Sequence, residues 1–260
     1  MTLFETLGLA FPAVVSVVGG GGKTSFIFTL AREAADRGGS VLITTTTAMF
    51  NPEYFTPGTA VSDGRFDRLF TGPAAELPGP VAGHVLVAAP ALVAEGKKLT
   101  GYSPEDLAPV LDRRDIDLVL IEADGARMRP IKAPADHEPV VPTQTTLLAG
   151  CIGLDCLDHP LDERIAHRPE LLAALAGLTP GDPVTDQTLL RLAASNNGLF
   201  KSRGEQMGTA LVLNKADTDT LAARGEAIGR QAVSAGSAHT CIVTSLATPE
   251  SPVKRRILKE

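Results

Sequence analysis

The sequence predicts an α/β fold of the doubly wound type, a mostly parallel sheet with a small, mainly helical insertion. Three observations predict it. Short apolar runs alternate with amphipathic stretches along the chain, a glycine-rich loop joins the first run to the first helix, and polar clusters fall at the ends of runs rather than inside them.

The first strand is expected at residues 12–18, an apolar run of the kind buried on both faces of a parallel sheet. Four glycines follow it. From Thr24 to Arg37, Phe26, Ile27, Leu30, Ala31 and Ala34 recur at helical spacing, and Gly38-Gly39 stops the helix. Val41-Leu42-Ile43 is a second short strand, so this stretch makes a right-handed βαβ unit. Thr44 to Thr47 come next, and then a Pro- and Gly-rich region at about 51–83 with little periodic order. Val85 to Ala89 reads as a strand, Ser103 caps a short helix, and Leu118 to Ile121 is a strand by its length and composition.

Thr145 to Ile152 has strand composition, and two short helices, Arg168 to Leu175 and Thr185 to Ala194, are flanked by turn sequences that suggest an inserted helical layer. The last third returns to the alternating pattern. Ala210 to Leu213 is a strand, Thr218 to Ala235 a helix and Thr240 to Val243 a closing strand. One domain over residues 1–260 is expected, with its insertion at about 145–205 and a flexible C-terminal tail at about 249–260. Lys254, Arg255, Arg256 and Lys259 are expected to be solvated there.

A composition of 44% hydrophobic and 21% charged residues is ordinary for a soluble globular protein. The formal net charge of -6 gives no global attraction for nucleic acid or anionic lipid, so phosphate binding must be local. No apolar run approaches the length of a membrane span, and the start lacks the basic opening of a signal peptide, so a cytoplasmic location is expected. Cys151, Cys156 and Cys241 fit no disulfide framework or common zinc pattern and read as buried thiols. His137 reads as a loop histidine.

Chemistry concentrates at three strand ends. Gly19, Gly20, Gly21 and Gly22 lead into Lys23, Thr24 and Ser25, the make-up of a phosphate-binding loop. Glycines let successive N–H groups face one anion, Lys23 supplies charge for the β- and γ-phosphates, and the Thr24 hydroxyl offers a ligand to Mg²⁺. The strict pattern G-x-x-x-x-G-K-[ST] asks for glycine at position 17, where this chain has Val17. Glu122 and Asp124 end a neighbouring strand and suit the catalytic carboxylate and metal-holding roles, with Gly125 allowing close approach to the terminal phosphate. Asn214-Lys215-Ala216-Asp217 ends another, and a carboxylate that accepts two in-plane N–H groups selects guanine over adenine. In a parallel sheet these ends share one edge, so all three clusters can reach one ligand.

In order and spacing the three clusters look like the metallochaperone branch of P-loop GTPases. More closely, Val18 to Ser25, Thr44 to Thr47, Glu122 to Arg127, Pro130 to Pro139 and His167 to Glu170 together resemble the YqeC family. The resemblance spans residues 14–217 and implies a P-loop NTPase fold. It also implies an accessory role in maturing selenium-dependent molybdenum hydroxylases, with a molybdenum hydroxylase or a selenium-donor protein as partner. Within that family Val17 is no departure. Arg127, Arg129 and Lys132 become candidate cations for phosphate charge, and one of the threonines at 44–47 a candidate for the Mg²⁺ shell.

Three functions fit these residues. The first is a Mg²⁺-dependent GTPase whose hydrolysis gates cofactor insertion or hand-over. The second is an ATP-dependent small-molecule ligase or kinase, which leaves Asn214 to Asp217 without a role. The third is a low-turnover, nucleotide-dependent binding protein.

Overall fold

The computed structural model describes residues 1–52, 66, 68–247 and 251–259. In chain order its elements are α1 (Leu3–Thr6), β1 (Ala13–Gly19), α2 (Lys23–Asp36), β2 (Val41–Thr45), β3 (Met49–Phe50), β4 (Arg68–Thr71), β5 (Val85–Ala89), β6 (Leu92–Val93) and β7 (Lys98–Leu99). There follow α3 (Pro104–Leu111), β8 (Leu118–Glu122), β9 (Ile131–Lys132), β10 (Leu147–Gly153), β11 (Ala166–His167), α4 (Pro169–Ala176), α5 (Asp186–Ala194), β12 (Gly208–Asn214), α6 (Asp219–Ser234), β13 (Thr240–Thr244) and β14 (Val253–Leu258).

The main sheet has nine strands in the order β14-β13-β12-β10-β1-β8-β2-β5-β4. All its pairings are parallel except β13 with β14. Every residue of β1 is buried, as both faces of a parallel sheet require. Val15 and Val17 join α1 and α2 on one face, through Leu3, Phe26, Ile27 and Leu30. Val14 and Val18 join the other, which α3, α4, α5 and α6 cover through Leu107, Leu172, Leu189 and Ile228. The chain runs outward from β1 to β2 and β5 on one side, then crosses back to build β10, β12 and β13 on the other. That reversal places a crevice beyond the carboxyl end of β1, where open α/β sheets bind ligands.

Two boundaries differ from the sequence reading. The strand at 145–152 is β10, which lies beside β1 in the middle of the sheet, so the inserted helical layer starts only after Gly153. The C-terminal segment, expected as a flexible solvated tail, forms β14 antiparallel to β13, with Ile257 6% exposed. Its sequence, Val253-Lys254-Arg255-Arg256-Ile257-Leu258, carries three successive basic residues; Arg255 pairs with Glu226 of α6 at 2.9 Å, and Arg255 and Arg256 stay exposed on this edge strand. Part of the Pro- and Gly-rich region, residues 53–65 and 67, lies outside the described residues. The three cysteines are free and buried, as expected.

Candidate functional site

Gly19 to Gly22 turn the chain from β1 into α2 with positive φ at Gly19, Gly21 and Gly22. At Gly21, φ is +70° and a Cβ would lie 2.0 Å from the Gly153 nitrogen. At Gly22, φ is +114° and a Cβ would meet Asn214 Nδ2 at 2.4 Å. Both positions therefore need glycine for conformation and for space. The amides of Gly19, Gly20 and Gly21 donate to the Asp124 carboxylate, the Cys151 carbonyl and the Arg129 carbonyl. No side chain caps α2, so its first turn, with Lys23, Thr24 and Ser25, presents the amides that remain for an anion.

Lys23 is 5% exposed and donates to the Gly19 carbonyl at 2.8 Å. Its amine lies 3.0 Å from Asp124 Oδ1 and 3.8 Å from Glu122 Oε1. Burial by itself pushes the Lys23 pKa down, but the two carboxylates reverse that and hold it above the ordinary value. Glu122, at the end of β8, is drawn upward by burial against the opposing pull of Lys23 and of the Thr24 hydroxyl, which donates to Glu122 Oε2 at 3.0 Å. Asp124 accepts the Gly19 amide on both oxygens, at 3.1 and 3.0 Å.

Asp124 also touches a residue outside the predicted catalytic set. Lys132 is 1% exposed, and its amine lies 3.0 Å from Asp124 Oδ2 and 2.7 Å from Glu138 Oε2 and donates to the Gly125 carbonyl at 2.8 Å. Glu138 in turn accepts from Arg168 at 2.5 Å. Burial pushes the Glu138 carboxyl up, but Arg168 and Lys132 outweigh it and hold the group at about 2. Arg168 arrives there because β11 pairs in parallel with β9, setting His167 opposite Lys132. His167, half-buried beside Arg168, Lys132 and Arg127, is held down to about 4, first by burial and then by those cations.

The third cluster divides. Asn214, 4% exposed, donates to the Gly21 carbonyl at 2.8 Å and accepts from the Thr244 hydroxyl at 3.1 Å and the Leu246 amide at 3.3 Å. It thus ties the phosphate-type loop to the segment after β13. Asp217 is exposed and accepts from the Ser245 hydroxyl at 2.6 Å, while the Lys215 amine reaches Asp155 at 2.6 Å. Arg127 and Arg129 sit in the turn after Asp124, with positive φ at Arg127 and Met128. The hydroxyls of Thr44, Thr45 and Thr46 donate to the carbonyls of Ala88, Glu122 and Val140, whereas Thr47 Oγ1 is buried with no hydrogen-bond partner. His137 is exposed.

The sequence matches the family model for YqeC protein over residues 15–170, a span that holds the glycine loop, Glu122, Asp124, Lys132, Glu138 and Arg168. The chain belongs to the YqeC family. A relative in Escherichia coli (strain K12), "Uncharacterized protein YqeC", is 35% identical over 191 residues, which cover 74% of this chain and 71% of the relative. No solved structure matches. For this YqeC-family chain, Lys132 was expected as a cation for phosphate charge but is buried against Asp124 and Glu138, and Glu138 and Arg168 are the residues that sequence reasoning missed. Their signal was present in the segments 130–139 and 167–170, but the pairing across that separation came only from the β9–β11 contact.

Among the described residues no group of three or more His, Cys, Asp and Glu is gathered as a metal site. A Mg²⁺ ion needs fewer protein ligands than that, since it is usually held by one or two carboxylates together with substrate phosphates and water. The Thr24 hydroxyl and the Glu122 carboxylate, 3.0 Å apart at the mouth of the loop, are an oxygen pair that fits this role. Among the described residues no helix is long and apolar enough to cross a membrane.

Proposed function

We propose that this chain binds a nucleoside triphosphate, GTP in preference to ATP, and uses its hydrolysis to drive an accessory step. The observation that carries the reading is the Asn214 bond to the Gly21 carbonyl at 2.8 Å, which joins a base-reading cluster to a phosphate-type loop across one crevice. The uncapped first turn of α2 supplies amides for the phosphates, and Lys23 supplies charge once it leaves the Gly19 carbonyl. Thr24 and Glu122 would hold Mg²⁺, whose chemistry is to neutralise charge on the β- and γ-oxygens. Arg127 and Arg129, in the turn that follows Asp124, are the candidate cations for further phosphate charge. Asp217, oriented by Ser245, would accept the two in-plane donors of guanine.

Within the role that family resemblance implies, the driven step is maturation of a selenium-dependent molybdenum hydroxylase, with the hydroxylase or a selenium-donor protein as partner. Titrating the pure protein with GTP and with ATP, with and without Mg²⁺, tests the nucleotide reading. Tighter GTP binding that strengthens with Mg²⁺ supports it. Equal or stronger ATP binding removes the guanine preference, and turnover that appears only with a small-molecule acceptor replaces hydrolysis by a ligase or kinase reaction.

A further inference from the structure

We propose that Lys132 is a positioning residue for phosphate binding: it is the standing counter-ion of Asp124 that allows Lys23 to leave for a phosphate. The inference rests on the phosphate-site reading above. Its ground is a chain of five charges that alternate in sign, Lys23, Asp124, Lys132, Glu138 and Arg168, joined at 3.0, 3.0, 2.7 and 2.5 Å. Four of the five are buried, and Arg168 closes the series at the rim.

An alternating chain of five has a useful arithmetic. When the terminal Lys23 moves to an incoming anion, the other four form two complete pairs, Asp124 with Lys132 and Glu138 with Arg168. Within this chain no buried charge is stranded, and Glu122, 3.8 Å from the resting Lys23 amine, keeps the Thr24 hydroxyl as its donor. Asp124 also keeps both contacts to the Gly19 amide, so the base of the loop stays fixed while the amine swings. Without Lys132, Lys23 would be the one cation touching Asp124. Its departure would then leave a carboxylate that is 2% exposed without a cation, close to the negative charge of the ligand. Lys23 would stay bound to Asp124, and affinity would fall although no residue that touches phosphate had changed. Glu138 has the complementary task of holding the Lys132 amine between two carboxylates, helped by the Gly125 carbonyl.

The test measures dissociation constants for a ribose-labelled fluorescent GTP with Mg²⁺, and thermal midpoints without nucleotide. The proteins are the full-length wild type, Lys132→Met, Lys132→Arg, Asp124→Asn and the double variant Asp124→Asn/Lys132→Met. Lys132→Met is expected to weaken binding about 30-fold or more, the range in which truncating one partner of a buried charge pair falls. Lys132→Arg should retain binding within about 3-fold, because the charge remains. The double variant should bind within about 3-fold of Asp124→Asn alone, because the carboxylate that Lys132 neutralises is gone and Glu122, 3.8 Å from Lys23, faces it equally in both proteins.

A Lys132→Met protein that loses thermal stability but binds GTP like the wild type overturns the inference, since a structural role predicts that pattern. So does a double variant as weak as Lys132→Met. Should Lys132→Met fail to fold, the double variant carries the test, because it buries no unpaired charge. A folded wild type that binds neither GTP nor ATP overturns the phosphate-site reading and this inference with it, whereas wild-type binding that Lys132→Met leaves intact overturns this inference alone.

Discussion

Replacing Asn214 by alanine separates the structural part of its cluster from the base-reading part proposed for Asp217. The carboxamide makes one bond to the Gly21 carbonyl and accepts two, from the Thr244 hydroxyl and the Leu246 amide. At about 0.5–1.5 kcal/mol net per bond, the loss is about 1.5–4.5 kcal/mol. Gly21 and Thr244 are buried, so the groups freed there do not recover water, which places the expectation in the upper half, about 3–4 kcal/mol. Asp217 is exposed and takes one hydroxyl, so Asp217→Ala should stay within about 1 kcal/mol of wild type. Urea unfolding followed by circular dichroism measures both, and at a slope of about 2–3 kcal/mol/M Asn214→Ala should lower the midpoint by about 1 M or more. In nucleotide titrations Asn214→Ala should weaken GTP and ATP alike, because the phosphate loop loses its tie. Asp217→Ala should weaken GTP alone. A loss of under about 1 kcal/mol for Asn214→Ala, or selective damage to GTP binding by it, would refute the assignment of this side chain as the clamp between loops.

Two further outcomes follow from single features. Gly21→Ala combines a φ of +70° with a Cβ 2.0 Å from a backbone nitrogen, so it should destabilise by about 2–4 kcal/mol in thermal unfolding and abolish nucleotide binding. Ile257→Ala should lose about 2–4 kcal/mol if β14 is part of the folded sheet, against about 0.5 kcal/mol or less for the exposed Arg256→Ala; equal small losses would return this segment to a tail.

Acid should act in two windows. His167, held down to about 4, takes up its proton in the unfolded chain first, so its contribution is whole above the ordinary value of 6.5 and is lost as pH falls to about 4. Glu138, held at about 2, contributes fully above 4.5 and loses that contribution as pH falls toward 2. Urea midpoints across this range should fall less steeply in His167→Asn over the first window and in Glu138→Gln over the second. Unchanged slopes would remove the electrostatic role of the group concerned.

Much of the fold is legible in local pattern. The run before Gly19 is apolar at nearly every position because β1 is buried on both faces, and the helix after it shows its stripe because one side of α2 packs on that sheet. The same logic failed where pattern and place separate. Residues 145–152 have strand composition, but nothing local says that they lie beside β1 rather than in an added layer. Lys254, Arg255 and Arg256 look like a solvated tail because charge dominates the segment, yet an edge strand needs few apolar anchors, and here Ile257 joins the core on one face of the sheet while Val253 packs against the other.

By itself the sequence determined the glycine turn between β1 and α2, the strand-end positions of Glu122, Asp124 and Asn214, and membership of a family, since backbone freedom, burial and strand ends leave local marks. Tertiary structure decided the partners. It gave Asn214 to the Gly21 carbonyl instead of to solvent, Thr24 to Glu122, and Asp124 to two lysines at once. The physical reason is that a buried charge carries no local sign of which opposite charge will neutralise it. Lys132, Glu138 and Arg168 became one network only when β9 and β11 came side by side.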